Sequence, residues 1–151
     1  MALSPDEVNS ACIALLEEKI AGLQLQLDEL KTGLSADSKS TSGDKHETSR
    51  AMAHIEQEHL AGQMAVLRTQ LLAVHKLRSA AAGSSISAGS LVTTNHGLFY
   101  LCVAIGRLSV SGQEIMVLSA QSPLGQVFLG KCLHDTFTFG GRSYVITALL
   151  T

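Results

Sequence analysis

Apolar residues recur along the first part of this chain at a spacing that leaves few folds open. Ile13, Leu16, Ile20, Leu23, Leu27, Leu30 and Leu34 follow one another at steps of 3, 4, 3, 4, 3 and 4. A helix turns once per ~3.6 residues, so this alternation keeps all seven side chains on one stripe. Glu17, Lys19, Gln24, Gln26, Asp28 and Lys31 fall off it. Ser4-Pro5-Asp6-Glu7 supplies a start signal: a capping hydroxyl, Pro at the first helical position, and acids where the helix dipole favours them. Lys31 and Gly33 suit its end.

A second series, Leu60, Met64, Leu67, Leu71 and Val74, steps by 4, 3, 4 and 3, and Ala53 and Gln57 extend it backwards. The spacing predicts a helix from about 43 to 82, with Lys76 and Arg78 near its C-terminal end. A short polar connection forces two such helices to run antiparallel, seam against seam. The expected product is an antiparallel coiled-coil hairpin over residues 1–79. Each arm of about 30 residues is ~45 Å long, and the tip lies at 35–47.

Residues 80–90, AAAGSSISAGS, read as a flexible linker by composition. Beyond them the period changes to 2. Residues 90–94 and 98–106 read as a hairpin about Asn95-His96-Gly97, and 114–120 as a further strand. Residues 122–130, with a capping Ser122, Pro123 at the first position and Gly130 at the end, read as a short helix. Residues 135–139 and 142–150 about Gly140-Gly141 form a second hairpin. The fold class is therefore α+β: the helical hairpin, then a small antiparallel sheet domain, 91–151, with one short helix.

Several function classes are disfavoured by bulk properties. The chain carries a formal charge of −2 and no Trp, with 4% aromatic residues. Neither a phosphate-coating nor a base-stacking surface is expected from such a composition. The N-terminus MALSPDEVNS lacks the basic and apolar segments of a signal peptide. No stretch approaches the ~20 apolar residues of a membrane span. Cys12, Cys102 and Cys132 are widely spaced in apolar surroundings and read as reduced, packed thiols of a cytoplasmic protein.

Three sets of residues invite a chemical reading. Asp44 and Glu47, three apart at the tip, suit a helix cap and a capping box. They also suit a shared divalent cation, but two carboxylates make a weak site by themselves because Mg²⁺ prefers six oxygens. The histidines, His46, His54, His59, His75, His96 and His134, form no ligand motif and read as solvated or flanking residues. Ser122-Pro123-Leu124-Gly125 with Leu129-Gly130-Lys131 reads as capping and tight packing, with too few glycines to cradle a phosphate.

Hairpin, linker and late motif, taken in order, resemble the Gre transcript-cleavage factors of bacteria, in which an antiparallel coiled coil precedes an FKBP-like domain. Gly43-Asp44-Lys45-His46-Glu47 is similar to the family's tip. Ser122, Pro123, Leu124 and Gly125, followed by Leu129, Gly130, Lys131 and Asp135, are similar to its C-terminal signature, and Tyr144-Val145-Ile146 to its closing strand. The resemblance implies that Ser122, Pro123, Leu124, Gly125, Gly130, Lys131 and Asp135 belong to a surface that docks on RNA polymerase at its secondary channel. It also implies that Asp44 and Glu47 share Mg²⁺ with the polymerase active site and stimulate cleavage of backtracked RNA. The factor would then have no cofactor of its own, would not be an enzyme in isolation, and would use no small-molecule substrate or membrane. Its contact with nascent RNA would be indirect. Thr48-Ser49-Arg50-Ala51-Met52 departs from the Asn-Ala-Glu-Tyr-His-type run that follows the tip acids in cleavage-competent members, which marks a divergent paralogue. A polymerase modulator that occupies the channel without cleavage is the alternative. An FKBP-type isomerase would require an aromatic-lined pocket, whereas the second half offers only Phe99, Tyr100, Phe128, Phe137, Phe139 and Tyr144, several of them at strand-core positions, so this reading is disfavoured.

Overall fold

A computed structural model describes residues 3–37, 44–77 and 84–150. It is α+β: two helices, α1 (Pro5–Asp37) and α2 (Asp44–Lys76), followed by strands and one short helix. The strands are β1 (Leu91–Thr94), β2 (Gly97–Cys102), β3 (Gly106–Val110), β4 (Gln113–Ser119), β5 (Thr136–Phe139) and β6 (Arg142–Leu150), and α3 (Pro123–Phe128) lies between β4 and β5. The chain divides into two compact units, one comprising Met1–Ala14 and Leu72–Thr151 and the other Leu15–Leu71.

The unit Leu15–Leu71 is a pair of helices held by the apolar stripe. Leu27, Leu60 and Met64 are buried together, with Ile20, Leu23 and Leu30 packed against them. Residues off the stripe stay in water, including several large apolar ones: Leu25, Met52, Ile55 and Val66 are each more than half exposed. Burial follows the 3–4 spacing rather than hydrophobicity alone, which is the signature of a helix pair that covers one face of each member.

In the other unit the first turns of α1 begin as the sequence requires. The Glu7 amide donates to Ser4 Oγ at 3.2 Å, and Ser4 Oγ donates to the Glu7 carboxylate at 3.3 Å, so cap and acid satisfy each other one turn apart. The six strands run in the order β3-β4-β2-β1-β6-β5. Neighbours are antiparallel except β2 and β4, which pair in parallel from Leu98 opposite Ile115 to Cys102 opposite Ser119. The pleat of β2 separates two packed faces. Phe99 and Leu101 join Val92, Leu118, Phe128, Tyr144 and Ile146 in the core beneath α3. Tyr100 and Cys102 point the other way, where the Tyr100 hydroxyl donates to Asn9 Oδ1 of α1 at 2.8 Å. Asn9 in turn donates to the Val74 carbonyl near the end of α2 at 3.4 Å.

Three expectations are corrected. The stretch 98–106 is not one strand: β2 ends at Cys102, the chain bends at 103–104, and Gly106, at φ +93°, turns it into β3. That strand pairs with β4 about Ser111-Gly112, both with positive φ, the conformation a two-residue hairpin turn demands. Secondly, the sheet is not wholly antiparallel, because β4 returns beside β2 rather than extending a meander. Thirdly, the compositional linker 80–90 is partly core. Ile86 is 2% exposed, its amide donates to the Lys131 carbonyl at 2.8 Å, and its carbonyl accepts from Gly130 at 2.9 Å. Residues 80–83 of that stretch lie outside those described, as do 38–43 of the tip and 78–82 at the expected end of the second helix.

Candidate functional site

The residues of the C-terminal motif are gathered at α3 and the turn that follows it. Ser122 caps the helix: its hydroxyl accepts from the Gly125 amide at 3.1 Å and donates to the Ser119 carbonyl at 2.7 Å. Pro123 stands at the first position, where a missing amide costs nothing. Leu124 packs on the core cluster. Gly125 is required by space: a Cβ there would lie 2.1 Å from the Ser119 carbonyl oxygen.

After the helix, Gly130 takes φ +83° with open space around it, so its role is conformational. Asp135 Oδ2 accepts from the Cys132 amide at 2.7 Å, and the Asp135 carbonyl accepts from the Ile146 amide at 3.0 Å. Asp135 therefore closes the turn 132–135 and ties it to β6. Pro123 is exposed and Lys131 half-exposed, and Leu129 and Leu133 are 37% and 45% exposed. Thus Ser122, Gly125, Gly130 and Asp135 shape a surface whose accessible side chains are Pro123, Leu129, Lys131 and Leu133.

Beside α3 opens a cleft of about 680 Å³, within the size range of ligand pockets. Its walls include Phe99, Met116, Leu124, Phe139 and Tyr144, with Arg107, Glu114 and Arg142 also lining it. The aromatic residues are mutually packed: Phe137 stacks on Tyr144 at 5.0 Å and 8°, and Phe128 meets Phe99 and Phe137 at 5.1 Å each. Sequence reasoning named these rings but did not bring them together. Phe99 and Tyr144 lie at strand positions whose neighbours in space are set by the sheet order, which no local period reports.

At the tip, Asp44 opens α2, its side chain lying outside those described, and Glu47 follows three residues on with its side chain exposed. Residues three apart on a helix share one side, with Cβ atoms ~5–6 Å apart. Arg50 is exposed a further three residues along.

The histidines are dispersed. His54, His59, His75, His96 and His134 are exposed, and His46 lies outside the described side chains. His59 shares a 2.9 Å hydrogen bond with Gln63, and His96 lies 3.0 Å from the Ser143 carbonyl and edge-on to Tyr144. Among the described residues, no three of His, Cys, Asp and Glu are grouped as metal ligands. No described helix is long and apolar enough to cross a membrane.

The junction of α1 and β2 is more perturbed than any of these. Burial, followed by the nearby Cys102 and Cys12 sulfurs and Asp6, raises the Tyr100 hydroxyl well above the ordinary tyrosine range, so it remains a donor to Asn9. Sequence reasoning missed this cluster, because its members are 91 residues apart. The only available signal was a polar Asn9 one turn after the first acids and among apolar positions. No protein-family model matches this chain, and no curated protein matches it.

Proposed function

We propose that this chain is a Gre-like regulator of RNA polymerase, whose α1–α2 hairpin enters the secondary channel and whose α3 surface docks at the channel rim. The observation that carries the reading is the position of Asp44 and Glu47 in the first turn of a 33-residue helix, directly after the connection from a second 33-residue helix. Each helix is ~50 Å long, enough to reach an active centre from a rim. A weak carboxylate pair becomes useful there, because the polymerase supplies the other ligands. The ion in question is Mg²⁺, which supplies an activated water when held by both partners. Asp44 and Glu47 would hold that ion jointly with ligands of the polymerase. Pro123 and Lys131 meet the polymerase, and Ser122, Gly125 and Asp135 hold their backbone in place.

A second reading is favoured by Arg50. An exposed cation one turn beyond Glu47 competes with a metal for the carboxylates, so the tip occupies the channel without promoting cleavage. A stalled, backtracked elongation complex in Mg²⁺ separates the two. Release of 3′ RNA fragments on adding the protein supports the first, and repression of multi-round transcription without fragments supports the second. If neither occurs, and the protein fails to compete with a known secondary-channel factor, the reading is wrong.

A further inference from the structure

Two of the three cysteines meet inside the protein. Tyr100 and Cys102 lie on one side of β2, because strand side chains alternate. Asn9 and Cys12 lie on one side of α1, because they are one turn apart. The 2.8 Å bond from the Tyr100 hydroxyl to Asn9 fixes strand against helix, and the same register brings Cys12 to Cys102. Cys12 is fully buried and Cys102 is 9% exposed, and each thiol lies near enough to perturb the other. Cys132 is exposed and bonds weakly to the Gly130 carbonyl.

We propose that Cys12 and Cys102 form an oxidisable dithiol, a reversible disulfide site that fastens the first turns of α1 to β2. The pair is asymmetric in a way that suits the chemistry. Cys102 donates to Cys12, which lowers the Cys12 thiol from its ordinary value and raises that of Cys102. The attack on an oxidant falls to Cys12, the acceptor of the pair, and the resolving step to Cys102. Cys102 ends β2 just before the chain bends, and its slight exposure gives a small oxidant a way in.

The oxidant is a hydroperoxide of the size of hydrogen peroxide. The Cys12 sulfur attacks one peroxide oxygen, the O–O bond breaks, and the departing hydroxide takes up a proton as water, leaving a sulfenic acid. The Cys102 sulfur then attacks the sulfenic sulfur. The S–S bond forms, the S–O bond breaks, and the second hydroxide leaves with the Cys102 proton as water. Two thiols are oxidised, and one peroxide is reduced to two waters. A dithiol reductant reverses the sequence by exchange.

This inference is independent of any polymerase. The experiment uses the full chain carrying Cys132→Ser, which removes the exposed thiol without touching the pair. The folded, reduced protein is treated with hydrogen peroxide, quenched in acid, alkylated in denaturant and digested for mass spectrometry. The expected result is joint loss of alkylation at Cys12 and Cys102, a linked peptide lighter by two hydrogens, recovery of both thiols with dithiothreitol, and a higher melting temperature for the oxidised form. Further substitution Cys102→Ser should leave Cys12 without an intramolecular partner and abolish the linked peptide. Full alkylation of both cysteines after peroxide, or oxidation of each to separate sulfinic acids with no linked peptide, would overturn the proposal.

Discussion

Substituting Gly125 by Ala should unfold more of this protein than a single methyl group suggests. The new Cβ would lie 2.1 Å from the Ser119 carbonyl oxygen, whereas ordinary contact begins at 3.4 Å. One of the two must therefore move by more than 1 Å. The carbonyl is not free to do so, since it accepts from the Ser122 hydroxyl at 2.7 Å and from the Ser122 amide at 3.0 Å. Moving the helix instead lifts Leu124 and Phe128 off the core. Overpacking costs about 1–3 kcal/mol and loss of the cap ~1 kcal/mol, giving roughly 2–4 kcal/mol in total. For a unit of this size, that lowers the melting temperature by roughly 10–20 °C. The chain has no Trp and two tyrosines, Tyr100 and Tyr144, both buried in the sheet-bearing unit. Tyrosine fluorescence during urea unfolding thus reports that unit alone. A Gly130→Ala control, strained at φ +83° but unobstructed, should cost only ~1 kcal/mol. A Gly125→Ala midpoint equal to that of the parent would refute the close approach and the cap geometry built on it.

Gly62→Ala should act in the opposite direction. The site lies inside α2 with open space around it, so differential calorimetry should show a gain of about 0.5–1 kcal/mol. Asn9→Ala leaves the buried Tyr100 hydroxyl without its acceptor and should cost about 2–3 kcal/mol by urea titration, more than Tyr100→Phe, which removes the donor itself. The pH dependence follows from the same hydroxyl. Its pKa is raised in the folded state, so its stabilising contribution is whole below the unfolded tyrosine value of ~10. Above that pH the unfolded chain alone loses the proton, and stability falls by up to ~1.4 kcal/mol per pH unit. Unfolding titrations from pH 9 to 11.5 should show a steeper decline for the parent than for Tyr100→Phe, and identical slopes would contradict the assignment.

How legible this fold was depended on whether a signal was local. The helix pair could be read because Leu16, Leu27, Leu60, Met64 and Val74 lie on the stripes and are buried, while Leu25 and Val66 lie off them and are exposed. The Ser4 and Ser122 caps and the Gly140-Gly141 turn, at φ +60° and +78°, were equally readable because they involve neighbouring residues. β3 was missed although exposed Arg107 and Ser109 alternate with half-buried Leu108 and buried Val110, because a five-residue run is too short to stand out from a loop. Parallel pairing of β2 with β4 leaves no trace in either segment. Ile86 was hidden by its company: small flexible residues surround it, but one isoleucine with two backbone bonds to 130–131 is enough to join the core. The dithiol was invisible for the same reason as the cleft, since both require knowing which strand face meets which helix. At the tip the spacing of Asp44 and Glu47 was plain, and the role proposed for them requires a partner that local sequence does not contain.

The paired substitution Asp44→Ala/Glu47→Ala decides the proposed role of the tip. Parent and variant should compete equally with a known secondary-channel factor for RNA polymerase, because the α3 surface is unchanged. In a backtracked complex with Mg²⁺, the parent should release 3′ RNA fragments at a rate that falls by at least about 100-fold in the variant, as expected when ligands to a catalytic ion are removed. Equal cleavage by the two proteins at equal occupancy would show that these carboxylates serve only as a helix start, and the proposed mechanism would fall.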